Sequence, residues 1–177
     1  MADRTLGFLR PAEFISTVDD YQKGIGTLGT MLAEERQKMS DTKFLYKLGE
    51  RLLAWNRVDD ADRRFAAIET LDPTNKNGDT DDALMERSWI CRKKETWDCA
   101  VSFAQDCYKR WPDGEMAADA FESAAWYQVK GGHKAEGLAG LKEYVSKWPK
   151  GSDVEWAQEQ IATLEKELAA PDTTKAP

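Results

Sequence analysis

Two similar five-residue segments, both with Trp-Pro at the centre and Gly at the end, constrain this chain more than any other feature. Arg110–Gly114 reads Arg-Trp-Pro-Asp-Gly, and Lys147–Gly151 reads Lys-Trp-Pro-Lys-Gly, with the two prolines 37 residues apart. A third proline, Pro73, lies 39 residues before Pro112. Proline lacks a backbone donor and disfavours helix in the residue before it, so each site predicts the end of a helix. A period of this length is typical of stacked helical pairs.

The clearest repeat runs from Thr42 to Asn75 and contains two amphipathic stretches. Asn56–Asp60 separates the stretches. The apolar residues of each stretch follow the 3.6-residue period of a helix with one buried face. They are Leu45, Leu48 and Leu52 in the first stretch and Ala61, Phe65 and Ile68 in the second. Gly49 and Ala61 are small, so they allow the two helices to approach closely.

These positions resemble the tetratricopeptide repeat (TPR). That family has a large residue at its fourth position, then Leu-Gly, an apolar residue, Ala, an aromatic residue, another apolar residue and a late proline. The chain supplies them in order as Leu45, Leu48-Gly49, Leu52, Ala61, Phe65, Ile68 and Pro73. The resemblance implies an all-α fold: a right-handed stack of antiparallel helical hairpins, or α-solenoid, closed by a C-terminal capping helix.

Two further repeats follow in register but depart from the family pattern. Arg87-Ser88 stands where Leu-Gly is expected, and Ala104 replaces the aromatic residue, with Phe103 one place earlier. We therefore expect three TPR-like hairpins and a capping helix over residues 41–168. The key positions of the second and third repeats are Leu84, Cys91, Ala100 and Cys107, then Phe121, Ala124, Ala125, Gly137, Leu141 and Tyr144, and the capping helix buries Val154, Ala157, Ile161, Leu164 and Leu168.

The two ends of the chain have different predictions. Residues 1–40 predict an N-terminal helical segment that packs on the repeats, starting at Pro11 and divided by Gly24 and Gly26. Its apolar face is Phe14, Val18, Tyr21, Ile25, Leu28 and Leu32. Residues 6–15 resemble the end of a thioredoxin-fold domain, but without a C-x-x-C pair no redox activity is implied. Residues 169–177 are small, polar and proline-bearing, so we expect a disordered tail.

A candidate binding face follows from the family resemblance. In TPR proteins the first helix of each hairpin lines a concave groove, and Trp89 and Trp126 occupy the same repeat position here. Exposed tryptophan is costly unless it is covered or used, and Trp, Tyr and Arg are favoured in binding hot spots. The rings could equally pack on neighbouring helices, so both interpretations stay open. The implied groove residues are Tyr46, Glu50, Met85, Trp89, Arg92, Glu122 and Trp126.

The resulting functional prediction is a non-enzymatic scaffold that binds another protein or peptide through this groove. The alternative is a structural or self-assembling helical extension of a thioredoxin-like protein, without a separate ligand. A net charge of −7 repels phosphate backbones, which argues against nucleic acid. No stretch approaches the roughly 20 apolar residues of a membrane span. We expect a cytoplasmic protein, or a periplasmic one if a signal segment has been removed.

Catalytic and metal sites are not predicted. His133 is the single histidine, and no glycine loop for phosphate is present, so we expect no enzyme activity, cofactor or metal. Asp72–Asp82 superficially resembles a calcium loop, but Pro73 and Leu84 stand where the first and last acidic ligands are needed.

The three cysteines leave one question open. Cys91 and Cys99 flank the turn between the helices of the second repeat, and Cys107 follows. One bridge could join the two helices in an oxidising compartment, whereas a free cysteine is commonly just a small buried residue.

Overall fold

The computed structural model describes residues 10–169, and within them it contains nine α-helices, one short 3-10 helix and no strand. The predicted all-α class is therefore confirmed. Except for Ala169, which ends the last helix, the predicted tail lies outside the described residues, as do residues 6–9. The elements are α1 (Pro11–Gln22), α2 (Leu28–Glu34), the 3-10 helix (Glu35–Gln37), α3 (Thr42–Ala54), α4 (Val58–Leu71), α5 (Thr80–Lys93), α6 (Trp97–Arg110), α7 (Ala117–Lys130), α8 (Lys134–Lys147) and α9 (Val154–Ala169).

The turns within the three helical pairs share one backbone conformation. Asn56, Glu95 and Gly132 each adopt a left-handed φ, of 59°, 55° and 94°. The following N–H then bonds to a carbonyl five residues earlier, which satisfies an acceptor at the helix end. These bonds run from Arg57 to Leu52 (2.8 Å), from Thr96 to Cys91 (3.0 Å) and from His133 to Gln128 (2.8 Å).

A second recurrent conformation ends α4, α6 and α8. The residues before the three prolines, Asp72, Trp111 and Trp148, have φ of −132°, −132° and −124° and ψ of 67°, 71° and 65°. The steric effect of a following proline explains why each leaves the helical region. The backbone conformation at the end of the second helix therefore recurs with the same spacing as the prolines.

The described chain divides into two compact units, one ending at Glu86 and the other beginning at Arg87. In the first unit α3 packs on α4, and α2 packs on α3. Leu48, Leu52, Phe65 and Ile68 are fully buried there. Gly49 faces the ring of Phe65 so closely that an added Cβ would lie 2.5 Å from Cε1.

In the second unit α6 packs on α7, α7 on α8, and α8 on α9. Ser88, which stands at the position of Gly49, is fully buried and donates a hydrogen bond from Oγ to the carbonyl oxygen of Ala100, at 2.7 Å. Arg87, at the position of Leu48, lies over the Phe103 ring at 4.2 Å. Arg87 and Phe103, two residues that depart from the repeat pattern, therefore contact each other.

The N-terminal segment forms the two predicted helices, but its apolar face is less buried than expected. Gly24 and Gly26 both have positive φ between α1 and α2, and Thr27 caps α2 by accepting the N–H of Thr30. Phe14 and Ile25, however, are 55% and 56% exposed. On the last helix, Leu168 is likewise 47% exposed. No helix in the described range is long and apolar enough to cross a membrane.

Gly49→Ala tests the close approach of α3 and α4. We expect a loss of about 1–2 kcal/mol in the free energy of unfolding, because overpacking against the fully buried Phe65 outweighs the better helix propensity of alanine. The measurement is urea unfolding followed by circular dichroism. Gly29→Ala is the matched control, since a Cβ at Gly29 would meet no atom within 4 Å. A Gly49→Ala protein as stable as the control would contradict the packing argument.

Candidate partner-binding groove

An open cavity of about 360 Å³ lies in the second unit and is lined by all four of the predicted groove residues of that unit. Its walls come from α5, α7 and the start of α9. Three tryptophans form the aromatic part, and three carboxylates and one arginine form the charged part. The lining residues are Trp89, Arg92, Asp119, Glu122, Ser123, Trp126, Tyr127, Asp153 and Trp156.

Helical spacing explains why these side chains converge. Asp119, Glu122 and Trp126 lie three and four residues apart on α7, so they share one face of that helix. Trp89 and Arg92 are three residues apart on α5, which places them on one face as well. Asp153 and Trp156 flank the start of α9.

The tryptophan rings pack on neighbouring residues and also line the cavity. Trp89 and Trp126 are half-buried and pack against the buried cluster of Cys91, Ala100 and Tyr127. They also line the cavity, where the rings of Trp126 and Trp156 meet edge to face at 82° with centroids 5.1 Å apart. The ammonium of Lys130 lies 5.2 Å from the centre of the Trp126 ring. Packing therefore fixes the rings while part of each stays open to the cavity.

The charge of the cavity is dominated by carboxylates. Loss of water around Glu122, followed by repulsion from Asp153 and Asp119, raises the pKa of Glu122 to about 7, although the Ser123 hydroxyl and Arg92 act in the opposite direction. Within residues 10–169, Asp119, Glu122 and Asp153 form no ion pair within 4.0 Å. The cavity thus concentrates negative charge that the described chain does not neutralise by direct pairing.

The other predicted groove residues belong to the first unit. Tyr46 donates a long hydrogen bond of 3.4 Å to Oε1 of Glu86 and packs its ring against Phe65. Burial and then the charge of Glu50 raise the pKa of Glu86 to about 7. Met85 is fully buried, so its side chain offers no surface to a partner.

Glu50 has a separate place in the first unit. It lines a cavity of about 440 Å³ between α3 and the N-terminal helices. There the Arg51 guanidinium lies over the Tyr21 ring, 4.8 Å from its centre. Tyr46 and Met85, the other predicted groove residues of this unit, do not line that cavity.

Sequence reasoning missed three contributors to these clusters: Asp153, Trp156 and Glu86. Trp156 is the most visible of the three, because it is a large aromatic residue outside the predicted apolar face of the last helix. Asp153 lies just before that helix, where no periodicity applies. Glu86 follows Met85 by one residue, and only the packing of α3 and α5 within the first unit brings it to Tyr46.

The cysteine question has a definite outcome. Cys91 and Cys99 form a disulfide that joins the last turn of α5 to the first turn of α6, with Cα atoms 5.7 Å apart. Cys107 has a free thiol and is buried. The bridge anchors the end of α5, the helix that carries Trp89 and Arg92.

The loop that resembles a calcium site is organised by hydrogen bonds of its own. The carboxylate of Asp72 accepts the backbone N–H groups of Asn77 at 2.7 Å and Lys76 at 3.0 Å. These bonds lower the pKa of Asp72. Thr80 donates from Oγ1 to the carbonyl oxygen of Asp72 at 2.7 Å. In the part of the chain that the structure describes, no group of three or more His, Cys, Asp or Glu side chains is arranged so that it could hold a metal ion.

Comparison with known proteins adds no assignment. The sequence matches no protein-family model and no curated protein.

Glu122→Gln tests the electrostatics of the cavity through stability. The pKa of Glu122 rises from its ordinary value of 4.5 to about 7 in the folded chain. Between these pH values the folded state therefore binds more protons than the unfolded state. The contribution of Glu122 to the free energy of unfolding then falls as pH rises from 4.5 to 7. Above pH 7 the ionised Glu122 destabilises the folded state by its full amount. After allowance for partial exposure, Glu122→Gln should stabilise the protein by roughly 1–2 kcal/mol at pH 8 and by less at pH 5.

The measurement is urea unfolding at both pH values. Glu143→Gln on α8 is the control, because Glu143 is exposed and surface substitutions change stability by about 0.5 kcal/mol or less. Equal effects of Glu122→Gln at pH 5 and pH 8 would show that the charge of Glu122 costs nothing.

Proposed function

We propose that the chain is a non-enzymatic protein-interaction module that binds a partner protein or peptide through the groove of TPR-like repeats. The observation that carries the proposal is the cavity lined by Trp89, Trp126 and Trp156, three half-buried rings on one opening. Tryptophan supplies a large contact area with little conformational freedom to lose, which is why it is enriched at binding hot spots.

The helical-repeat part of the proposal is supported by local geometry. Each of three consecutive helix pairs has a left-handed residue in its inner turn and the same extended residue before its closing proline. Small side chains recur where paired helices approach, at Gly49, Ser88 and Ala125. A right-handed solenoid with α9 as its cap is the arrangement that such repeats favour.

The compartment proposal depends on the bridge. A disulfide between Cys91 and Cys99 favours an oxidising compartment such as the periplasm over the cytoplasm. No cofactor, nucleic acid or membrane insertion forms part of the proposal.

The alternative function, self-assembly or attachment to a larger thioredoxin-like protein, is favoured by a different surface. Phe14, Ile15 and Ile25 in the N-terminal segment are 55%, 62% and 56% exposed. Several exposed large apolar side chains in one short segment favour a surface that another protein covers. This surface belongs to α1 and the turn after it, and not to the tryptophan-lined cavity.

The Trp89→Ala/Trp126→Ala double variant distinguishes the two functions. We expect affinity capture from the source lysate to recover a distinct protein with the unchanged chain and to lose it with the double variant. The captured protein, once purified, should bind the unchanged chain at least tenfold more tightly than the variant in calorimetry, since hot-spot residues contribute about 2 kcal/mol or more.

Trp111→Ala is the control. Trp111 is also half-buried and in the second unit, but it lies outside the cavity, at the end of α6. Far-ultraviolet circular dichroism must show the same helicity in all three proteins. If the double variant captures the same proteins, or if sedimentation shows only further copies of the chain and Phe14→Ser/Ile15→Ser abolishes that association, self-assembly takes the place of the groove.

A further inference from the structure

The cavity of the second unit combines two properties that together specify the chemistry of its occupant. It is walled by tryptophan rings, and its charged groups are three carboxylates against one guanidinium. We propose that it receives a lysine or arginine side chain from a basic segment of the partner protein. This inference depends on the proposed function and names the kind of partner.

The aromatic walls favour a cation over a neutral apolar group. The face of a tryptophan ring carries a negative quadrupole potential and attracts ammonium and guanidinium groups within about 6 Å of the ring centre. The Trp126 ring already has one such neighbour, because the ammonium of Lys130 lies 5.2 Å from the ring centre. The perpendicular ring of Trp156 adds a second aromatic surface beside it.

The carboxylates supply the sign of the charge. Asp119 and Glu122 lie on one face of α7, and Asp153 raises the cost of ionising Glu122. A bound cation would relieve that repulsion, whereas an acidic or phosphorylated segment would add to it. Charge complementarity of this kind selects a partner and speeds its association more than it raises affinity.

The size of the cavity suits a single long side chain. A volume of about 360 Å³ is near the lower limit of ligand pockets, which span roughly 300–1,000 Å³. Lysine and arginine place a charged head at the end of an apolar stem, so the stem can contact tryptophan while the head reaches the carboxylates. A whole amphipathic helix would need a longer apolar groove.

Arg92 is the one cation among the lining residues, and its side chain is exposed. It repels a bound cation and partly neutralises Glu122. Its removal should therefore have the opposite effect to the removal of a carboxylate. These two opposite changes in affinity distinguish binding at the cavity from general attraction to an acidic protein.

The test uses the full chain and two synthetic octapeptides with blocked ends. One alternates lysine with glycine, and the other alternates glutamate with glycine. Binding is measured by calorimetry at pH 8 and low ionic strength for the unchanged protein, Glu122→Gln, Arg92→Gln and the control Glu143→Gln. Glu122→Gln and Glu143→Gln alter the net charge equally, so a difference between them reports on the cavity alone.

We expect the lysine peptide to bind and the glutamate peptide not to bind. Glu122→Gln should weaken the lysine peptide about three- to tenfold, Arg92→Gln should strengthen it about threefold, and Glu143→Gln should leave it within a factor of two. Affinity should also rise with pH through about 7, as Glu122 ionises beside Asp119, Asp153 and Arg92.

Two results would overturn the inference. In one, Glu122→Gln and Glu143→Gln weaken the lysine peptide equally, which marks non-specific attraction. In the other, the glutamate peptide binds and Arg92→Gln abolishes its binding, which marks an anion site. Neither result touches the proposed function, which fails separately if the tryptophan double variant still captures the same proteins.

Discussion

The close approach of paired helices at small residues is the constraint on which the rest of the structure depends. Gly49 leaves room for the ring of Phe65 in the first pair, and Ser88 faces Ala100 in the second. In the third pair a Cβ on Gly137 would lie 2.7 Å from the carbonyl oxygen of Ala125. The contact residue differs from pair to pair, but its side chain is small or absent every time. A larger side chain at that position would keep the two helices from packing this closely.

Small residues at the contacts between helices are accompanied by large aromatic side chains that stay partly exposed on other faces. The second unit buries Ala100, Ala104 and Ala120 completely, whereas Trp89, Trp126 and Trp156 stay half-buried on the cavity. A ring held by packing on one side loses little freedom when a partner covers the other side. The disulfide between Cys91 and Cys99 adds to this rigidity at the end of α5. The fold therefore holds the three rings in place beside the cavity.

The sequence predicted the elements well because prolines, small residues and the 3.6-residue period act locally. Leu45, Leu48, Leu52, Ala61, Phe65 and Ile68 are all buried as expected. It predicted the N-terminal segment less well, since periodicity cannot say whether Phe14 finds a neighbour. Only part of the cavity lining could be predicted from the sequence. Trp89 and Trp126 follow from their repeat position. Asp153 and Trp156 reach the cavity only through the packing of α9 on α8. The raised pKa of Glu122 depends in part on Asp153, which the same packing brings close. No local sequence pattern could therefore have indicated that shift.

Each unit also keeps a glutamate whose pKa is raised to about 7, Glu86 beside Tyr46 and Glu122 beside the tryptophans. A carboxylate held among other carboxylates and away from water lowers stability at neutral pH, because the ionised form is more favourable in the unfolded chain. Glutamine would keep the shape of the side chain and avoid this loss of stability.

In the second unit the loss of stability coincides with an aromatic cavity, where a bound cation could turn the repulsion among Asp119, Glu122 and Asp153 into attraction. In the first unit the Tyr46 hydroxyl already donates to Glu86, so that glutamate needs no ligand to explain it. The two acidic clusters therefore differ in kind, and the tryptophans are what make the second a candidate for recognition.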